Sequence, residues 1–211
     1  MQDIIAHLPA FFAAFSILVV AASSPGPAVA LLLGIATSQG RGPALIATTG
    51  IAVGSLCLNI ATLLGVGLLI ADAAWAMQIL RLIGAAYLLW LAWGAFRKAI
   101  DPPVLKPAAV KPRSAVQHFA TGYLLQVTNP KAIVFWLAIA AIGATEGGNA
   151  MVIAAFLVAA FAISFGCHAA WALLLSSPPV RSAYARARRW IEVALGGFFT
   201  FAAWRLATSE A

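Results

Sequence analysis

The fold turns on one run, Val19-Val20-Ala21-Ala22-Ser23-Ser24-Pro25-Gly26-Pro27-Ala28-Val29-Ala30, set inside an apolar stretch from about Ile4 to Ser38. About 20 apolar helical residues cross the hydrocarbon core of a bilayer, so this stretch is too long for one simple crossing. Proline lacks an amide hydrogen and clashes with the carbonyl four residues earlier, so Pro25-Gly26-Pro27 cannot continue a helix. The run therefore reads as a crossing broken at about membrane depth. A second apolar stretch, from about Val116 to Ile142, is interrupted in the same way by Asn129-Pro130-Lys131.

Four further apolar spans lie around these two: about Ala44 to Ile70, Trp75 to Phe96, Ala150 to Leu175 and Trp190 to Leu206. Between the spans lie Gly40-Arg41-Gly42-Pro43, a closure near Asp72 and a polar, proline-containing loop from Arg97 to Arg113. The turn Glu146-Gly147-Gly148-Asn149 and a basic linker with Arg181, Arg186, Arg188 and Arg189 follow. Composition agrees, because only 9% of the 211 residues are charged and 63% are hydrophobic. A soluble domain has about a quarter of its residues charged, so this chain cannot cover a water-facing surface. The expected fold is all-α and integral to the membrane, with six transmembrane helices in a single domain over residues 1–211. The opening Met1-Gln2-Asp3 lacks the basic start of a signal peptide, so the first helix is expected to be retained.

The net charge of +7 would suggest nucleic acid for a soluble protein. Here the cations sit between spans, where they act as a topology signal, and no nucleic-acid partner is expected. Arg41 lies in the first loop, and Arg97, Lys98, Lys106, Lys111 and Arg113 lie in the third. Arg181, Arg186, Arg188 and Arg189 lie in the fifth, whereas the second and fourth loops carry Asp72 and Glu146. The odd-numbered loops are therefore expected to be cytoplasmic and both termini outside, with Arg81 and Arg205 snorkelling from helix ends. Three spans per half require two similar halves in opposite senses: repeat A about 1–96, a loop about 97–115, and repeat B about 116–211. Broken helices at matching positions of inverted halves are a pointer to a transporter's binding site.

The breaks have a chemistry. Pro27 frees the carbonyl of Ser23, Pro25 that of Ala21, and Pro130 that of Gln126. Free carbonyls in lipid are costly unless buried in protein or lining a wet cavity, where they can accept from an ammonium. Each half-helix that restarts after a break offers amides and a positive dipole end to a carboxylate. Two facing breaks suit a zwitterion such as an amino acid; the plainer reading is a pair of kinks relieved by side chains. The substrate-site candidates are Ser23, Ser24, Pro25, Gly26, Pro27, Gln126, Asn129, Pro130 and Lys131.

A charge within the membrane is expensive and points to function, so Lys131 is read as a carboxylate ligand or proton carrier, against a helix cap or a snorkelling lysine. His168, deep in the fifth span, is a second proton-coupling candidate, or else a hydrogen bond to a neighbouring helix. Gln126 and Asn129 either bind ligand or satisfy freed backbone. Asn59 reads as interhelical glue, Gly50-Ile51-Ala52-Val53-Gly54 as a close-packing motif, and Glu192 as an interfacial ion pair with Arg188 or Arg189. Trp75, Trp90, Trp93, Trp190 and Trp204 fit aromatic belts, while Trp136 and Trp171 lie deeper, where they could line a cavity. Cys57 and Cys167 fall at matching places in the two halves. A thiol–disulfide relay, or a metal-ion transporter using them with His168, is the alternative to simple packing. There is no CxxC, no metal site and no catalytic constellation; neither a cofactor nor an enzyme activity is expected.

Ser24-Pro25-Gly26-Pro27-Ala28, Gly50 and Gly54, the run from Gly84 to Trp93, and the run from Gly122 to Ala132 together resemble the lysine exporter / homoserine–threonine exporter family (LysE/RhtB). The resemblance runs in order over nearly the whole chain. It implies a six-helix exporter of amino acids or similar metabolites in the bacterial inner membrane, driven by the proton gradient and often dimeric. Members commonly carry an acid near the position of Ser55 and another shortly before a tryptophan like Trp171. Here those places hold Ser55 and Gly166-Cys167-His168, so the carboxylates that the resemblance would offer for proton coupling are absent from both.

Overall fold

The computed structural model describes residues 2–72, 74–102, 111 and 113–208, with side chains except at residues 2, 66–72, 74–77 and 80. Lys106 and the side chains of Asp72 and Trp75, used above for topology and belts, lie outside the described residues. The described residues form eight helices and no strand: α1 (Gln2–Ser23), α2 (Pro27–Ser38), α3 (Arg41–Asp72), α4 (Ala74–Ile100), α5 (Ala115–Thr128), α6 (Pro130–Ala140), α7 (Ala150–Leu174) and α8 (Pro178–Thr208). Both proline motifs break a helix where the sequence predicts. α1 stops at Ser23 and α2 restarts at Pro27; α5 stops at Thr128 and α6 restarts at Pro130 with a bend of 61°.

Helix starts follow their local chemistry. Ser114 and Gln117 form a reciprocal capping box before α5, and the Asn149 side chain accepts from the amides of Met151 and Val152 before α7. Two expectations about connections need correction. Arg97 and Lys98 belong to the last turn of α4 rather than to a loop. The stretch from Arg181 to Arg189 is helical too, not a linker, because proline suits a first helical turn and Ala and Arg are strong helix formers.

α1, Arg41–Gly65 of α3 and α7 are long and apolar enough to cross a membrane, and the bent α5–α6 pair supplies a fourth candidate. Only 22% of the apolar window of α1, and likewise of α7, is buried in the protein, so most of each helix's apolar surface faces outward. Phe12, Val116, Val158, Trp90, Trp93, Trp190 and Trp204 are exposed apolar or aromatic side chains of the kind that meets lipid. The protein is an all-helical, multi-pass membrane protein.

The most extensive pairings run α4 along α8 and α3 along α5. The second explains the glycine motif. A Cβ on Gly50 would lie 2.0 Å from the Phe119 carbonyl oxygen, and one on Gly122 would lie 2.1 Å from that of Ala47. The backbones of α3 and α5 touch, and only glycine permits this. Phe15 and Phe156 stack at 5.1 Å between α1 and α7, with Phe11 edge-on to Phe156 at 5.2 Å.

Loop contacts sort into two groups. Gln39 donates to the Lys111 carbonyl (3.1 Å) and Arg41 to Ser176 Oγ (2.8 Å), tying the α2–α3 turn to the segment before α5 and to the α7–α8 turn. The Asn149 side chain donates to Asp3 (2.7 Å), and His7 bonds the Glu146 carbonyl (3.1 Å), tying the start of α1 to the α6–α7 connection. Arg81 donates to the Ala141 carbonyl just beyond α6 (3.3 Å), so it is held by protein where snorkelling was expected.

Candidate functional site

The breaks meet at Lys131. The backbone at Gly26 is fully extended before Pro27 opens α2, and no side chain caps that helix. Ser24, which precedes the break, turns its hydroxyl back to donate to the Ala21 carbonyl (2.9 Å). Across the gap, Asn129 caps α6 by accepting from the Lys131 amide (3.1 Å). This puts the Lys131 side chain at the start of α6, directed at the end of α1. Its ammonium donates to the carbonyls of Ala21 and Ser24, both at 3.1 Å, and to Ser24 Oγ, with the Phe135 ring 5.9 Å away. The carbonyl freed by Pro25 is thus occupied by Lys131 and Ser24. The carbonyl freed by Pro130 is occupied by the Asn129 amide at 3.3 Å.

A cavity opens beside this junction, with about 500 Å³ of empty space counted out to its mouth. Ser24, Gly26, Pro27, Gln126, Asn129, Lys131 and His168 line it, so most of the sequence candidates come together. Pro25 lines a neighbouring cavity instead, shared with Ser24 and Lys131, and Ser23 and Pro130 line neither. Proline breaks act on backbone, so these residues shape the site without necessarily facing it.

The polar wall opposite Lys131 is one connected chain. Gln126 donates to Ser55 Oγ (2.7 Å), and Ser164 donates to the same oxygen (3.1 Å). His168 meets the Ser164 carbonyl through Nδ1 at 2.7 Å. A carbonyl only accepts, so Nδ1 carries the proton and Nε2 is the acceptor nitrogen in the neutral ring. Through Nδ1, His168 therefore bonds within its own helix rather than to a neighbouring one. Trp136 and Phe135 supply apolar walls. The cavity thus pairs an ammonium and backbone carbonyls on one side with hydroxyls, an amide and an imidazole on the other.

Sequence reasoning missed Ser164, and it saw Ser55 only as a place without an acid. Both are polar residues deep in apolar spans, which is the signal that would have found them. Two other expectations change, and an expected pairing is met. The Asn59 side-chain nitrogen is buried with no hydrogen-bond partner, so the expected glue is not made through that atom. Trp171 packs edge-on against Tyr184 at 5.2 Å rather than lining the cavity. Glu192 does pair with Arg188, at 3.7 Å, with both side chains buried in the protein. Cys57 and Cys167 are free thiols, and among the described residues no three His, Cys, Asp or Glu side chains gather as a metal site.

Residues 19–210 match the protein family described as LysE type translocator. The chain is 28% identical to a threonine efflux protein of Escherichia coli K12 over 187 residues, covering 86% of this chain and 89% of that one. Against a threonine efflux protein of Salmonella typhi the identity is 30% over 196 residues, or 90% and 93% of the two chains. A leucine efflux protein of Klebsiella pneumoniae is 30% identical over 115 residues, 54% of this chain and 53% of that one. No solved structure matches.

Proposed function

The chain belongs to the LysE type translocator family, which makes it a transporter and not an enzyme, and we propose that it exports amino acids through the cavity between its two broken helices. One observation carries the reading. An ammonium, that of Lys131, already occupies the backbone carbonyls that the first break exposes. A substrate ammonium has the same chemistry and can take that place. Lys131, once displaced, is free to meet the substrate carboxylate. Gln126, Ser55 and Ser164 face the same space and supply neutral donors and acceptors for a polar side chain. The relatives named for threonine and leucine efflux carry substrates of this class.

The reading takes α1–α2 and α5–α6 as broken crossings and α3, α4, α7 and α8 as continuous ones, three per half in opposite senses. Support comes from length, since α4 and α8 have 27 and 31 residues and about 20 suffice. Further support is that the first, third and fifth connections bond to one another, and the N-terminal turn to the fourth. By the positive-inside rule, the reading has both termini outside the bacterial inner membrane. Alternating access then arises from one half rocking against the other around the Lys131 junction. Lys131 and His168 are the titratable groups lining the cavity, and they are the proposed route for coupling to protons.

The test is counterflow in proteoliposomes with radiolabelled L-threonine and L-leucine, with and without an imposed proton gradient. Saturable exchange is expected. No movement of any amino acid under any gradient would falsify the assignment.

A further inference from the structure

The second cavity, of about 320 Å³, lies on the far side of the same junction. Ser24 and Lys131 line both cavities, so their contact forms the partition between them. The second cavity also holds Lys98, from the last turn of α4, and Glu192, on α8, against the apolar wall of Phe199. Lys98 adjoins the third connection, which puts this cavity toward the side of the odd-numbered loops.

Glu192 is the feature that demands an explanation. Its side chain is 2% exposed, yet its Oε1 has no hydrogen-bond partner. The nearest charge on its own helix is Arg188 Nε at 3.7 Å, beyond the 2.7–2.9 Å of a charge-assisted hydrogen bond. A buried carboxylate left with an unused acceptor is expensive, and an added donor relieves the cost. Around it stand Lys98 on α4, Lys131 on α6 and Arg188 on α8, three cations for one acid. That surplus suits a carboxylate, while the unused Glu192 oxygen suits an ammonium. A zwitterion answers both, whereas a dicarboxylate meets Glu192 and a plain amine leaves the lysines unmatched.

We infer that this second cavity is the entry vestibule of the exporter, in which Glu192 accepts the substrate ammonium and Lys98 meets the substrate carboxylate before Lys131 and Ser24 part. The inference rests on the amino-acid exporter reading, and it names a second binding position for the same class of substrate.

The experiment measures L-threonine efflux from proteoliposomes together with melting temperature. Glu192→Gln is expected to raise the half-saturating concentration by roughly tenfold or more, as expected for a lost charge-assisted hydrogen bond. The maximal rate should stay within about twofold, the pattern of lost ground-state binding. Arg188→Gln/Glu192→Gln removes both ends of the buried pair. It should recover the wild-type melting temperature but not the wild-type half-saturation. If half-saturation recovers along with stability, Glu192 is only half of an ion pair and the proposal is overturned. In the wild type, 1-amino-2-propanol and 3-hydroxybutyrate, each lacking one charged end, should compete far more weakly than threonine; equal competition by either also overturns it. If the wild type transports nothing, the exporter reading fails by itself, and the vestibule is then read from thermal stabilisation of the solubilised protein by L-threonine. A shift present in the wild type and lost in Glu192→Gln upholds the vestibule; equal shifts in both, or none in the wild type, overturn it.

Discussion

Replacing Lys131 by methionine keeps a long, flexible, apolar stem and removes every donor from its tip. The ammonium has three acceptors, the carbonyls of Ala21 and Ser24 at 3.1 Å each and the Ser24 hydroxyl. Ala21 keeps the Ser24 hydroxyl as donor, so its carbonyl stays satisfied. The Ser24 carbonyl loses its donor, and one unsatisfied buried group costs about 1–3 kcal/mol. Lys131→Met should therefore lower the melting temperature yet still fold. The effect on transport is separate and larger. If the freed ammonium binds the substrate carboxylate, its loss removes a hydrogen bond to a charged group, which corresponds to about 10–150-fold in half-saturation. Counterflow of radiolabelled threonine, normalised to folded protein by size exclusion, measures that ratio. Lys131→Arg, which keeps the charge, should retain part of the affinity. Lys131→Met with a lower melting temperature but unchanged half-saturation and turnover would refute the reasoning, because Lys131 would then be a backbone cap and nothing more.

Other outcomes follow from the same geometry. Gly122→Ala sets a Cβ 2.1 Å from the Ala47 carbonyl oxygen, so α3 and α5 must part; overpacking of this kind costs about 1–3 kcal/mol and should appear as a lower melting temperature. Asn129→Ala removes the cap of α6 and should cost about 1 kcal/mol of stability by chemical denaturation. Efflux driven by proton entry should rise as the outside pH falls, and His168→Asn should flatten that dependence; an unaltered profile would exclude His168 as the coupling group. Cys57→Ala/Cys167→Ala should leave counterflow unchanged within about twofold, whereas a thiol relay would lose all activity.

The breaks were legible in the sequence because proline acts locally. Pro25-Gly26-Pro27 and Pro130 interrupt helices whatever surrounds them, and α1 and α5 end within a few residues of where the motifs require. The pairing of Gly50 and Gly54 with α5 was half legible: the spacing announces a close approach but not the partner, which the packing of Gly50 against Phe119 and of Gly122 against Ala47 identifies. The helical state of Arg181 to Arg189 was obscured because charge was read as a loop signal, when helix propensity and a proline start outweigh it. Most of the cavity was legible, since Ser24, Gln126, Asn129, Lys131 and His168 all line it. What was not legible was direction. Lys131 lines the cavity and also reaches from one break to the other, and that contact spans 107 residues of chain that no local pattern can relate.

On the proposed reading, that contact also keeps the exporter from leaking. Lys131 and Ser24 form the partition between the two cavities, and the carbonyls of Ala21 and Ser24 are satisfied there. Opening it without a substrate leaves an ammonium and at least one carbonyl unpaired in a low-dielectric environment, each costing on the order of 1–3 kcal/mol or more. A solute with only an ammonium satisfies the carbonyls but strands Lys131. A solute with only a carboxylate satisfies Lys131 but strands the carbonyls. A zwitterion replaces both partners at once, so the opened state is reached cheaply only when an amino acid is in place. Ser24→Ala probes this directly, since it removes one of the three acceptors and leaves both carbonyls present. It should speed passive leak of threonine, measured as uncoupled efflux down its gradient, while lowering affinity less than Lys131→Met. A Ser24→Ala protein as tight as the wild type would mean that the junction closes by packing alone.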